Sequence, residues 1–84
     1  SALWTATETM AQALSPRMRV NAIGPGPVLP SHRQSQAEFE RECRDTPLGC
    51  GATPEEICRA VRFLLATPSI TGQMIALDGG QHLG

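Results

Sequence analysis

The sequence predicts an α/β fold whose strands belong to a parallel sheet, and three observations carry that expectation. A helical apolar period runs into an alternating strand period across a short link at Pro16, and the same helix-then-strand order returns later in the chain. Each strand-like run closes on a glycine-bearing corner, first Gly24-Pro25-Gly26-Pro27 and then Asp78-Gly79-Gly80. A helix joined so tightly to a strand is half of a crossover unit, and the strand of such a unit takes parallel neighbours. Two strands make an incomplete sheet, because parallel strands need partners on both sides and cover on both faces. The pattern therefore implies absent partners.

The elements follow in order. From Ser1 to Ser15, Leu3, Ala6, Met10, Ala13 and Leu14 recur at helical steps, with Trp4, Thr7 and Ala11 as a second stripe. Two such faces suit a helix packed against two things at once. Pro16 stops it, and the absence of a capping residue ahead of Leu3 leads us to expect that it begins before Ser1. Met18, Val20 and Ala22 alternate with Arg19 and Asn21, which predicts a strand ending at Ile23. Residues 28–51 carry a weaker pattern. Pro30, Ser31, His32, Gln34 and Ser35 read as loop, and Gln36 to Asp45 as a mostly solvated helix with Phe39 and Cys43 on one face. We read this region as an excursion over the surface, of the kind that often carries function. Thr53-Pro54-Glu55-Glu56 is a capping box with proline at the first helical position, so a helix is predicted from Pro54 to about Ala66. After Thr71-Gly72, residues Gln73 to Leu77 form the second predicted strand.

Composition narrows the function. With 84 residues the chain holds no second domain. At 9.0 kDa, a compact globule would expose roughly 4,900 Å² against roughly 13,000 Å² for the extended chain, a marginal core. A net charge of −1 lacks the dense basic face that nucleic acid requires. No apolar run approaches the ~20 residues of a membrane span. The N-terminus has no basic-then-apolar signal pattern, and the chain reads as the product of a cut or truncation. Three cysteines, Cys43, Cys50 and Cys58, match neither a disulfide framework nor a CxxC metal site, so reduced thiols in a cytoplasmic protein are expected. No metal site is expected from His32 and His82 either. There is no Tyr, and all seven basic residues are Arg, so this chain supplies neither a phenol nor a side-chain amine.

Two glycine clusters imitate phosphate loops and fail on physical grounds. Gly49-Cys50-Gly51-Ala52-Thr53-Pro54 has no strand before it and a proline where the third glycine would stand. In Gly24-Pro25-Gly26, the following Pro27 removes an amide from any anion cradle.

Five blocks in order carry a resemblance over nearly the whole chain: Arg19-Val20-Asn21-Ala22-Ile23-Gly24-Pro25-Gly26, Pro47-Leu48-Gly49, Thr53-Pro54-Glu55-Glu56-Ile57, Val61-x-Phe63-Leu64-Leu65 with Thr71-Gly72-Gln73, and Leu77-Asp78-Gly79-Gly80. Together they resemble the C-terminal third of a short-chain dehydrogenase/reductase, and Gly26-Pro27-Val28-Leu29-Pro30-Ser31 with Asp78-Gly79-Gly80-Gln81-His82-Leu83 resemble the branch of that family containing pteridine and dihydromonapterin reductases. The resemblance implies the C-terminal part of a Rossmann-type doubly wound sheet that works with NADP or NAD. It implies that the corner at Pro25, Gly26 and Val28 lies beside the nicotinamide, where fixed backbone groups orient a flat ring without titrating. The family often has Thr where this chain has Pro30, and Ser31 is the candidate substitute. Residues 28–51 resemble the substrate loop, with Leu29, His32 and Phe39 as candidates to face a small-molecule substrate. Asp78 is expected to be structural.

The same resemblance implies what the chain lacks. The family's Tyr relays a proton to or from the substrate oxygen, and a Lys four residues later lowers its pKa and holds the ribose. Both fall before Ser1 by alignment, as do the catalytic Ser and the phosphate loop. No catalytic residue is therefore expected here, and the 84 residues alone are expected to be inactive. The missing N-terminal part of the domain is the expected partner, with homo-oligomerisation to a dimer or tetramer through the first helix and last strand. The competing reading is a self-associating, non-enzymatic helix–strand module.

Overall fold

Local signals set most of the element boundaries. A computed structural model describes residues 2–28 and 32–83. Helix α1 spans Ala2–Leu14, strand β1 Ala22–Gly24, helix α2 Gln36–Arg44, helix α3 Pro54–Ala66 and strand β2 Met74–Ala76, with a 3₁₀ turn at Gln81–Leu83. The capping box of α3 forms as read: the Glu56 amide donates to Thr53 Oγ1 at 3.1 Å, and the hydroxyl donates to the Glu56 carboxylate at 3.3 Å. The same device opens α2, where Ser35 is the N-cap and accepts from the Glu38 amide at 3.1 Å. The sequence reading had Ser35 as plain loop. The Ser-x-x-Glu spacing is the signal that identifies it.

Strands β1 and β2 pair in parallel, with Ala22 opposite Met74, Ile23 opposite Ile75 and Gly24 opposite Ala76. Both are shorter than the alternation suggested. Residues 18–21 are not strand, because side chains take over the ladder there. Asn21 bridges the two segments, donating to the Ile70 carbonyl at 3.2 Å and accepting from the Gln73 amide at 3.1 Å. The Val20 amide donates to Thr71 Oγ1 at 3.1 Å. Arg19 places one guanidinium nitrogen 3.0 to 3.2 Å from the carbonyls of Leu64, Thr67 and Ile70, and so satisfies acceptors left over at the C-terminus of α3.

Packing reverses the ranking of the two α1 faces. Thr7 and Ala11 of the second stripe are buried, while Leu3 and Met10 of the longer stripe stay exposed. Ala11 rests on the turn before β2, its Cβ 3.5 Å from where a Gly72 side chain would begin. Among the described residues the buried hydrophobics are Ala11, Ala52 and Leu64 alone, and Leu65 on α3 remains 71% exposed. The chain exposes 5955 Å², about a fifth more than the roughly 4,900 Å² of a compact protein of this mass. Its radius of gyration of 14.7 Å likewise exceeds the roughly 12 Å of a compact domain. The structure is one side of a layered core. A groove of about 320 Å³ between Arg19, Asn21, Ile23, Val61, Leu64 and Leu65 marks where the other side is wanting.

Candidate functional site

The carboxyl ends of β1 and β2 lie side by side, and the segments that leave them meet a third segment, the link from α2 to α3. Contact among these three is close, because Gly26, Gly51 and Gly79 stand where a side chain has no room and Gly80 where one is tight. At Gly26 (φ +61°) a Cβ would lie 2.8 Å from Asp78 Cα and 2.6 Å from Asp78 Cβ. A Gly51 Cβ would lie 1.8 Å from the Pro27 carbonyl oxygen. A Gly79 Cβ would lie 2.3 Å from the Cys50 carbonyl oxygen and 2.8 Å from Thr46 Oγ1, and one on Gly80 would touch Pro47 at 3.1 Å. The Leu48 amide donates to the Gly79 carbonyl at 2.9 Å. Close approach requires Gly51 and a positive φ of +77° favours Gly49, which explains the Gly49-Cys50-Gly51 cluster without any phosphate.

Asp78 locks the β2 corner. Its carboxylate is almost covered and accepts from the Gly80 amide at 3.0 Å and the His82 amide at 3.1 Å. His82 Nδ1 lies 2.9 and 3.0 Å from its two oxygens, an arrangement that keeps the ring proton on Nδ1. The His82 ring bond, helped by the two amides, holds the Asp78 carboxyl below the usual aspartate range against the opposing effect of burial. Three donors of the same turn, the two amides and His82 Nδ1, thus meet its two oxygens, a bonding pattern that braces the turn.

The β1 corner has a different character. Pro25 is half-buried, Gly26 exposed, Pro27 buried and Val28 half-buried. Among the described residues the Val28 amide has no hydrogen-bond partner, and nothing lies within 4 Å of where a Gly24 side chain would begin. An open face at a strand end beside an unengaged amide can receive a flat polar group, and none of these atoms titrates.

The candidate residues fare unevenly. Pro25, Gly26 and Val28 fall together in this corner, whereas Leu29 and Ser31 lie outside the described residues. His32 is exposed ahead of α2 and Phe39 half-buried upon it, and no hydrogen bond among the described residues joins either side chain to the corner. The three cysteines are free thiols. Sequence reasoning missed Thr46. The Thr46 hydroxyl is buried between the Cys43 carbonyl at 2.8 Å and the Cys50 carbonyl at 3.2 Å. A Thr-Pro pair one residue beyond a helix signals a turn, but its partner at Cys50 is not legible locally. No helix among the described residues is long and apolar enough to cross a membrane.

Residues 1–82 match the protein-family model described as enoyl-(acyl carrier protein) reductase. Carbonyl reductase family member 4 of Danio rerio is 38% identical over 78 residues, covering 92% of this chain and 32% of the relative. Dihydromonapterin reductase of Citrobacter koseri is 34% identical over 84 residues, covering 99% of this chain and 35% of the relative. The crystal structure of FolM alternative dihydrofolate reductase 1 from Brucella canis, complexed with NADP, is 59% identical with a TM-score of 0.93, covering 99% of this chain and 33% of that one. The chain thus spans about a third of the length of these relatives.

Proposed function

We propose, from the premise that this chain belongs to the short-chain dehydrogenase/reductase family, that it is the C-terminal third of an NADP- or NAD-dependent oxidoreductase acting on a carbonyl, alcohol or pterin-like substrate. The observation that carries this reading is the open corner at the carboxyl end of β1, with a Val28 amide and a Gly24 face that meet no partner among the described residues, in a sheet fragment whose apolar faces those residues leave uncovered. Dinucleotides bind at the carboxyl ends of parallel strands in open α/β sheets. The residues present fit a nicotinamide: Pro25, Gly26 and Val28 offer fixed backbone groups to its carboxamide edge, and Ser31 is a further candidate. The cofactor, when bound, supplies the hydride. This chain's part is to orient the ring and, through residues 28–51 with Leu29, His32 and Phe39 as candidates, to enclose the substrate and exclude water.

The 59% identity to a structure complexed with NADP supports NADP as the cofactor and a reduced-pterin class of substrate. The Tyr and Lys that such chemistry uses belong to the preceding part of the domain, since these 84 residues contain neither. The exposed faces of α1 and α3 favour docking to that part, with homo-oligomer contacts beyond it, over a self-sufficient interaction module. A cytoplasmic setting suits the three free thiols.

The test compares two proteins. The longer protein that carries this chain is expected to oxidise NADPH in the presence of a dihydropteridine, while the 84-residue chain shows no turnover. NADPH oxidation by the purified short chain, or none by the longer protein with any pteridine or carbonyl substrate, refutes the proposal.

A further inference from the structure

We infer that Thr46 is a positioning residue for the nicotinamide corner, acting through the stem of the substrate loop. The inference rests on the reading of residues 25–28 as that corner. Thr46 is 5% exposed, and its hydroxyl lies 2.8 Å from the Cys43 carbonyl and 3.2 Å from the Cys50 carbonyl. It therefore ties the last turn of α2 to the residue preceding Gly51. Gly51 abuts the Pro27 carbonyl so closely that a methyl group there would have to displace it. Cys50 and Thr46 together also form the wall against Gly79, and the Leu48 amide fixes the far side of the same turn on Gly79 at 2.9 Å. A continuous line of close contacts thus runs from the Thr46 hydroxyl through Cys50 and Gly51 to Pro27, inside the corner itself.

The downstream stem of the loop is thereby tied to the corner. The height of the Pro27–Val28 peptide above the sheet is set by how the Thr46 turn holds Gly51. Loss of the buried hydroxyl removes the tie to the Cys50 carbonyl, while the Cys43 carbonyl keeps the Thr46 amide at 3.2 Å, and the Cys50 side of the turn relaxes outward. The corner then follows, although Thr46 touches no part of it.

The experiment uses the longer protein that carries this chain, titrated with NADPH by nicotinamide fluorescence. Thr46→Val keeps the shape and removes the hydroxyl. It is expected to raise the Kd for NADPH about tenfold, the effect of about one lost buried hydrogen bond, while Thr46→Ser restores it to within about twofold. Should the valine variant fail to fold, Gly51→Ala addresses the same line from its other end, by pressing on the Pro27 carbonyl, and is expected to weaken NADPH at least as much. Folded variants with a lowered melting temperature and an unchanged Kd overturn the inference, since a purely structural role predicts that result. A wild-type longer protein that binds no NADPH overturns instead the reading of the corner on which the inference rests.

Discussion

The two ends of the sheet fragment are built on opposite terms. At the carboxyl ends of β1 and β2, three segments meet closely, Gly26, Gly51 and Gly79 leave no space for a methyl group, and both Asp78 oxygens are hydrogen-bonded. Over the faces of α1 and α3, Leu3, Met10, Phe63 and Leu65 stand in water, and the buried hydrophobics are two alanines and a leucine among the described residues. The difference teaches where the information for each region resides. The contacts that hold the glycine-lined end lie within these 84 residues, while the apolar faces of the helices are left uncovered among the described residues.

The contrast can be broken or sharpened by substitution, and the largest effect is expected at the tight end. In the longer protein, Gly79→Ala forces a methyl group against Cys50 and Thr46 at a residue with φ +64°. It is expected to cost roughly 3 kcal/mol in a denaturant melt. Gly49→Ala is the internal control: φ is +77° but nothing lies within 4 Å, so about 1 kcal/mol of backbone strain is expected. Equal costs at the two glycines would show that the close contacts add nothing.

A smaller effect is expected at the open face. Leu65 is 71% exposed in this chain. Leu65→Asp should shift the helicity or melting of the isolated chain by no more than about 0.5 kcal/mol. In the longer protein it should remove about 2 kcal/mol, the value of a leucine that becomes covered. Matching small shifts in both would mean that this face of α3 is never covered.

The smallest effect is one of pH. The Asp78 carboxyl is held below its usual range, chiefly by His82. Its contribution is complete above the unfolded-state value and declines as pH falls through the lower folded-state value. Stability measured from about pH 6 down to about pH 3 should therefore fall less steeply in Asp78→Asn than in the native protein. Parallel curves would remove Asp78 from the account of the turn.

Legibility in the sequence followed the range of the interactions. Helix α3 was readable to the residue because Thr53, Pro54 and Glu56 cap it within one turn. Ser35 and Glu38 offered the same signal and were passed over, so that error was one of reading. The strands were overextended, because Arg19 and Asn21 alternate like strand residues while their side chains bond to Leu64, Thr67, Ile70 and Gln73, some fifty positions away. No periodicity encodes that. In the candidate site, Pro25, Gly26 and Val28 were named through blocks of residues in family order and fall together at the β1 corner, and Asp78 bonds within its own turn. Thr46 and the purpose of Gly51 were not found, because each is defined by a neighbour that only the tertiary fold supplies.

The stem from Thr46 to Gly51 divides the segment between the strands into a part whose register the glycine contacts dictate and a part outside them. A replacement that begins after Val28 and rejoins before Thr46 alters none of the glycines or the atoms they abut. On the function proposed above, residues 29–45 would then serve as an exchangeable cassette for altering substrate preference.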